Sequence, residues 1–214
     1  MLYLRLIIAT LTMLAVLAAG GAEARAEAPP QVIAQAQADL DGDGRTETLE
    51  VLLLQGERRD DAEPWCGAGD KWEGRFALRV RRGPAVLTQA RWESLIYPRC
   101  SVAADESFFF WAPLTLHLAD YNGDGHPDFS LGVYGNCNGN FYRLFTLGPD
   151  GRLAELPTQG GGALTVSGAG HHNSTPLIRV EKGLLVNTYY DQAKGEEVTV
   201  RRRWQNGRFV PVAP

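Results

Sequence analysis

Two short stretches gather the side chains best suited to chemistry. The first is Asp39, Asp41, Asp43, Gly44 and Glu47, and the second is Asp120, Asn122, Asp124, Gly125 and Asp128. Each places a carboxylate or amide oxygen at loop positions 1, 3 and 5, glycine at 6 and an acid at 9. Alternate side chains of a tightly coiled loop converge on one point, and oxygen donors in that pattern suit a hard cation, calcium above magnesium. Glycine at position 6 permits the sharp turn. Position 7 ordinarily ligates through its carbonyl oxygen, so Arg45 and His126 join the expected ligand sets through backbone. A single Asp/Gly-rich segment is ordinarily a solvated turn; two copies with the same flanking alanine and the same spacing predict two Ca²⁺ sites.

The first copy also carries Glu50 at position 12 and so formally fits an EF-hand loop. Its flanks do not. Residues 46–54 form an apolar run rich in leucine and valine, and the second copy has Leu131 at position 12, within the period-two series Phe129, Leu131, Val133. A strand–loop–strand unit fits both copies.

Other chemistry is sparse. There is no nucleophile elbow, zinc-protease helix or phosphate loop. His171 and His172 are adjacent, and neighbours in an extended chain point apart, which makes them poor joint ligands. His117 alternates with Leu116 and Leu118 and is expected on a strand surface. Arg201, Arg202 and Arg203 read as a solvated hairpin face with one aliphatic stem packed inward. The expectation is a binding protein, not an enzyme.

The elements that would hold these loops are β-strands. Phe76, Leu78 and Val80 share one face, as do Leu114, Leu116 and Leu118. Residues 141–147 and 184–190 read as further strands. Val198, Val200, Arg202 and Trp204 alternate with charged residues before Asn206-Gly207, the signature of a type I′ hairpin with Phe209 and Val210 on the return. Residues 56–74 and 157–176 read as long polar loops. The predicted fold is all-β: one antiparallel domain, a sandwich, barrel or irregular propeller-like arrangement carrying two strand–loop–strand calcium sites. Two loops are too few for a regular propeller array.

Arg5 followed by the apolar run 6–19 and Ala-x-Ala frames reads as a secretory signal, with cleavage expected after Ala26. Residues 27–214 would then form the single domain. Losing Arg5, Arg25 and Glu23 takes the formal charge from −4 to −5, which gives no reason to expect nucleic acid. No later apolar run is long enough to span a membrane, so a periplasmic or secreted location is expected. The three cysteines, Cys66, Cys100 and Cys137, would meet an oxidising compartment. Cys66 with Cys100 is the favoured pair on local context, and a pairing through Cys137 is the alternative.

The Ala-Asp-x-Asp-Gly-Asp-Gly-x-x-Glu segment resembles the calcium loops of FG-GAP and VCBS-like exoproteins. Over residues 115–155 the order of acidic loop, Tyr134-Gly135-Asn136-Cys137-Asn138-Gly139-Asn140, aromatic strand and Pro149-Asp150-Gly151 resembles periplasmic immunity proteins. Those proteins guard bacteria against type IV-secreted peptidoglycan hydrolases and are similar to lysozyme inhibitors. The resemblance implies calcium binding and a loop that plugs a hydrolase cleft, with Tyr134, Asn136, Asn138 and Asn140 as partner-binding residues. A calcium-stabilised adhesion or carbohydrate-binding module is the alternative reading.

Overall fold

Short runs of β-branched, leucine and aromatic residues, cut at regular intervals by glycine and proline, favour strands over helices, and the computed structural model is built of them. The structure describes residues 29–61, 69–96, 108–136, 139–161, 163–167 and 177–212, with backbone alone over 133–136. The three cysteines, Asn138, His171 and His172 lie outside the described residues, as do the expected signal segment and the disulfide pairings.

Three antiparallel sheets follow one another along the chain. Sheet A runs β1 (Gln31–Ala38), β2 (Glu47–Arg59), β3 (Lys71–Arg82) and β4 (Ala85–Arg91) in spatial order, and after helix α1 (Trp92–Ile96) a fifth strand, β5 (Phe108–Trp111), adds to β3. Sheet B holds β6 (His117–Ala119), β7 (Asp128–Asn136), β8 (Gly139–Leu147) and β10 (Leu164–Ser167), with β9 (Leu153–Glu155) also on β8. Sheet C is the meander β11 (Ile178–Glu181), β12 (Leu184–Asp191), β13 (Glu196–Gln205) and β14 (Arg208–Pro211). The sheets do not close into a barrel.

Sheet B is the middle layer, because its strands carry apolar residues of both parities. Phe129, Leu131, Phe145 and Leu147 pack with Leu49, Val51, Phe76, Leu78, Val80, Trp92 and Phe110 of the first sheet region. Tyr142, Leu144, Leu164 and Val166 face the other way, onto Ile178, Leu185 and Phe209 of sheet C. A strand buried on both faces loses strict alternation, and in β8 Tyr142, Leu144, Phe145 and Leu147 are buried at both parities. The first core is strongly aromatic: Phe110 meets Phe76 and Trp92 edge-on at 4.8 and 5.2 Å, and Phe129 stacks on Phe145 at 5.5 Å.

Several expectations hold at the level of single residues. Asn206 and Gly207 both take positive φ, 52° and 73°, and close the β13–β14 hairpin between Gln205 and Arg208. Of the arginine triplet, Arg202 is half-buried while Arg201 and Arg203 are exposed. Leu114, Leu116 and Leu118 all pack on the first core, but the strand there is only His117–Ala119. Pro113 precedes it and has no N–H to give a sheet.

Two loop expectations need correction. Residues 56–59 and 71–74 are not loop; they extend the β2–β3 hairpin, with Gly56 opposite Gly74 and Arg59 opposite Lys71. The composition misled because the extension runs past the core, so its outward positions carry charges paired across the ladder, such as Arg59 with Glu73 at 3.3 Å. The two glycines are needed: a Cβ on either would lie 2.0–2.1 Å from a carbonyl oxygen of the facing strand. Within 157–176, Leu164–Ser167 is strand β10, paired antiparallel with β8, and its Leu164 and Val166 are buried. Four residues with two inward apolar positions give too short an alternation to stand out beside three consecutive glycines.

Candidate metal centre

Each acidic segment closes a hairpin, and the two are superposable in their pairing. The first joins β1 to β2 with Ala38 opposite Glu47, and the second joins β6 to β7 with Ala119 opposite Asp128. Strands, not helices, flank both loops, and Glu50 is turned away to Arg79 and Arg81. The EF-hand alternative is therefore excluded.

The loops share an internal hydrogen-bond skeleton. The position-1 carboxylate accepts from the position-6 glycine: Gly44 N donates to Asp39 Oδ2 at 2.9 Å, and Gly125 N to Asp120 Oδ2 at 3.0 Å. The position-3 oxygen accepts from the position-5 amide, Asp43 N to Asp41 Oδ1 at 3.3 Å and Asp124 N to Asn122 Oδ1 at 2.9 Å. The position-5 carboxylate accepts from position 7, Arg45 N to Asp43 Oδ1 at 3.0 Å and His126 N to Asp124 Oδ1 at 2.9 Å. Finally the position-9 acid takes the position-2 amide, Leu40 N to Glu47 Oε2 and Tyr121 N to Asp128 Oδ2, both at 2.9 Å. Glycines at positions 4 and 6 take positive φ in both copies, from 73° to 93°, a region L-residues with a Cβ avoid.

Position 2 is the anchor. Leu40 is wholly buried in the core between sheets A and B, and Tyr121 is buried in the core between sheets B and C. Each loop is thus pinned by one buried side chain whose own amide is held by a fully buried acid.

In the first loop Asp39, Asp41 and Asp43 each bring a ligand oxygen within 4.8 Å of the others. Asp39 Oδ1 is buried and accepts no hydrogen bond among the described residues. Glu47 stands apart from that group. Its Oε2 holds Leu40 N and its Oε1 accepts from Arg82 Nε at 2.7 Å. Arg82 also reaches Asp41 Oδ2 at 3.0 Å and Asp43 Oδ2 at 2.9 Å, so one guanidinium braces three acids from outside. Sequence spacing gave no sign of Arg82, which arrives from β3.

The second loop differs in several respects. Asp120 Oδ1, the counterpart of the open Asp39 Oδ1, accepts from Gly123 N at 2.7 Å and from Asp124 N at 3.1 Å. Asn122 replaces the middle acid, and its amide donates to Asp124 Oδ2 at 2.8 Å. Asp128 is wholly buried and has no arginine beside it among the described residues; burial pushes its carboxyl up to about 6, against the opposing hydrogen bonds from Thr146 and from the amides of Asn122 and Tyr121.

The two loops, which begin 81 residues apart at Asp39 and Asp120, also touch. The imidazole of His126 lies over Gly42, where a Cβ would sit 1.8 Å from Cε1. Neither a family model, a curated protein nor a solved structure matches this chain. Its chemistry rests on its own residues.

The donor set of the first loop suits a hard cation: three carboxylates converge, Arg82 offsets the charge of Asp41 and Asp43 from outside, and the buried oxygen of Asp39 is left open on the inside.

Of the expected partner-binding residues, Tyr134 and Asn136 fall within β7, and Asn140 is buried in β8 opposite Tyr134. Asn140 therefore presents no surface to a cleft. Residues 133–136 and 139–140 are paired strand, where an Asn/Gly loop was expected.

Proposed function

We propose that this is an exported calcium-binding protein that acts by binding, with two loops that each take one Ca²⁺. Asp39, Asp41 and Asp43 would hold the first ion with the Arg45 carbonyl. Asp120, Asn122 and Asp124 would hold the second with the His126 carbonyl, and Glu47 and Asp128 would brace the loops from position 9. The observation that carries this reading is the unsatisfied, buried Asp39 Oδ1 within a group of three acids, in a loop four of whose internal hydrogen bonds recur at the same positions of a second copy. The ion would occupy the side of the first loop that Arg82 does not reach, where Asp39 Oδ1 is open, and would fix the hairpins that tie sheet A to sheet B.

The partner that the sequence resemblance favours is a peptidoglycan hydrolase, met at the end of β7 that carries Tyr134 and Asn136. The second Ca²⁺ loop sits at the other end of β7, so ion binding would fix that strand and lower the entropy cost of docking.

Calorimetric titration of chelator-stripped protein with calcium tests the first part. Two binding events are expected, and Asp41→Asn and Asp124→Asn should each abolish one while leaving the other. At calcium one hundred times Kd the linked stabilisation is about 2.7 kcal/mol per site, visible as a rise in Tm. A titration without heat or Tm change would overturn the calcium reading. The partner is tested separately: the calcium-loaded protein should slow lysozyme-like muramidases on cell-wall substrate, and failure across such enzymes would leave an envelope binding module.

A further inference from the structure

A second site lies on the opposite face of sheet A from the core, and it owes nothing to the loops. Residues directly opposite in an antiparallel pair project to the same face. Phe76, Leu78 and Val80 point into the core, so Arg75, Ala77, Arg79 and Arg81 point outward. Gln55 stands opposite Arg75, Gln89 opposite Arg79 and Arg91 opposite Ala77. Here the sheet is also irregular. β2 bulges at Leu54, between Leu53 and Gln55, and the edge partner of β3 changes from β5 at Gly74 to β4 at Ala77. Bulges bend a strand and re-aim its side chains, and they concentrate near binding sites. The result is an open cavity of about 440 Å³ lined by Pro29, Pro30, Leu54, Gln55, Arg75, Gln89 and Arg91.

Two guanidiniums and two carboxamides thus converge on a hollow with one apolar wall. Glu93 sits beside it, nine-tenths buried at the start of α1. Its Oε1 accepts from Arg75 Nη2 at 3.0 Å and lies 3.6 Å from Arg91 Nη1. The Arg91 contact is the longer, and its side chain remains 60% exposed, which leaves its fork of donors for a ligand. The protein as a whole carries a formal charge of −4, so a face with Arg75, Arg79, Arg81 and Arg91 against Glu50 and Glu93 departs from the average surface.

We infer that this cavity binds a carboxylate-bearing sugar. The planar guanidinium of Arg91 matches a carboxylate in a two-bond fork, which lysine cannot do. Gln55 and Gln89 can both donate to and accept from hydroxyl or acetamido groups. Leu54, Pro29 and Pro30 form the wall against which the C–H face of a ring would pack. The volume suits one or two sugar rings.

The test uses N-acetylmuramic acid and N-acetylglucosamine as a pair of probes, the first being the second with a lactyl ether, and so a carboxylate, on O3. Each is titrated into ¹⁵N-labelled protein with chelator present and again with calcium. The acid is expected to shift the side-chain resonances of Gln55, Gln89 and Arg91, with affinity at least about tenfold above the neutral sugar, the worth of one charge-assisted hydrogen bond. Arg91→Gln should remove that preference. It is the variant of choice because Arg91 is exposed, whereas Arg75→Gln would strand the buried Glu93. Equal binding of both sugars, unchanged binding by Arg91→Gln, or no binding of either would overturn the site. A result independent of calcium separates this site from the loops, so either proposal can fail alone.

Discussion

At the scale of single residues, two buried acids carry opposite pH signatures because their neighbours differ. Glu50 is 2% exposed in its side chain. Burial alone would raise its pKa, but hydrogen bonds from Arg81 and Arg79 outweigh that and hold it below 4.5. Its contribution is present above the unfolded value and is lost as pH falls through the folded one. Glu50→Gln should cost about 2 kcal/mol near neutral pH, measured by urea unfolding, and the difference should shrink below pH 4. Asp128 has no such partner among the described residues, and its carboxyl is raised from 3.8 to about 6. The folded state therefore holds this proton more tightly than the unfolded chain does. The associated stability is complete below about pH 4 and is lost as pH rises through 6, on the order of 2–3 kcal/mol. In chelator, Asp128→Asn keeps an oxygen for Tyr121 N and loses this dependence. Its stability relative to the parent should thus improve between pH 4 and 7. A gap that does not change with pH would mean that Asp128 is not held protonated.

At the scale of elements, the packing of His126 on Gly42 joins two hairpins from different sheets. Gly42→Ala meets two costs: a positive φ of 73°, worth about 1–2 kcal/mol for an L-residue, and collision with the ring. Adding His126→Ala removes the second cost alone. The double variant should be more stable than Gly42→Ala by more than 1 kcal/mol, a coupling that independent sites do not show. Additive losses in thermal unfolding would show that the loops do not bear on each other in solution. The position-2 anchors act at the same scale. Leu40 and Tyr121 occupy equivalent places in their loops yet enter different cores, because sheet B has one face toward sheet A and the other toward sheet C.

At the scale of the whole molecule, three successive meanders are stacked with sheet B in the middle, and the first two each open on an acidic hairpin. Sheet C opens instead on the turn Lys182-Gly183, both at positive φ, with no acid cluster. Calcium would therefore act on the A–B junction and not on sheet C. In calcium titrations followed by hydrogen exchange, the amides of β1, β2, β6 and β7 should gain protection, while those of β12 and β13 change little. Uniform protection across all three sheets would mean that the cation stabilises the fold globally and not through these hairpins.

Much of this protein was determined locally. The twin acidic loops, their strand–loop–strand setting, the all-β class and the Asn206-Gly207 turn follow from spacing alone, because each depends on backbone geometry within a dozen residues. The strand alternation likewise marked Phe76, Leu78 and Val80 as one face. What spacing could not give was anything assembled across the chain. Arg82 reaches the first loop from β3, and His126 meets Gly42 from 84 residues away in sequence. Strands 56–59, 71–74 and 164–167 were hidden in polar or glycine-rich segments, because cross-strand partners and not their own composition hold them extended. Asn140 looked like an open loop residue, yet the pairing of β8 between β7 and β10 buries it. The cavity at Arg75 and Arg91 exists only because β3 changes edge partner beside a bulge. Local sequence sets which conformations and donors are available; long-range pairing decides which of them meet.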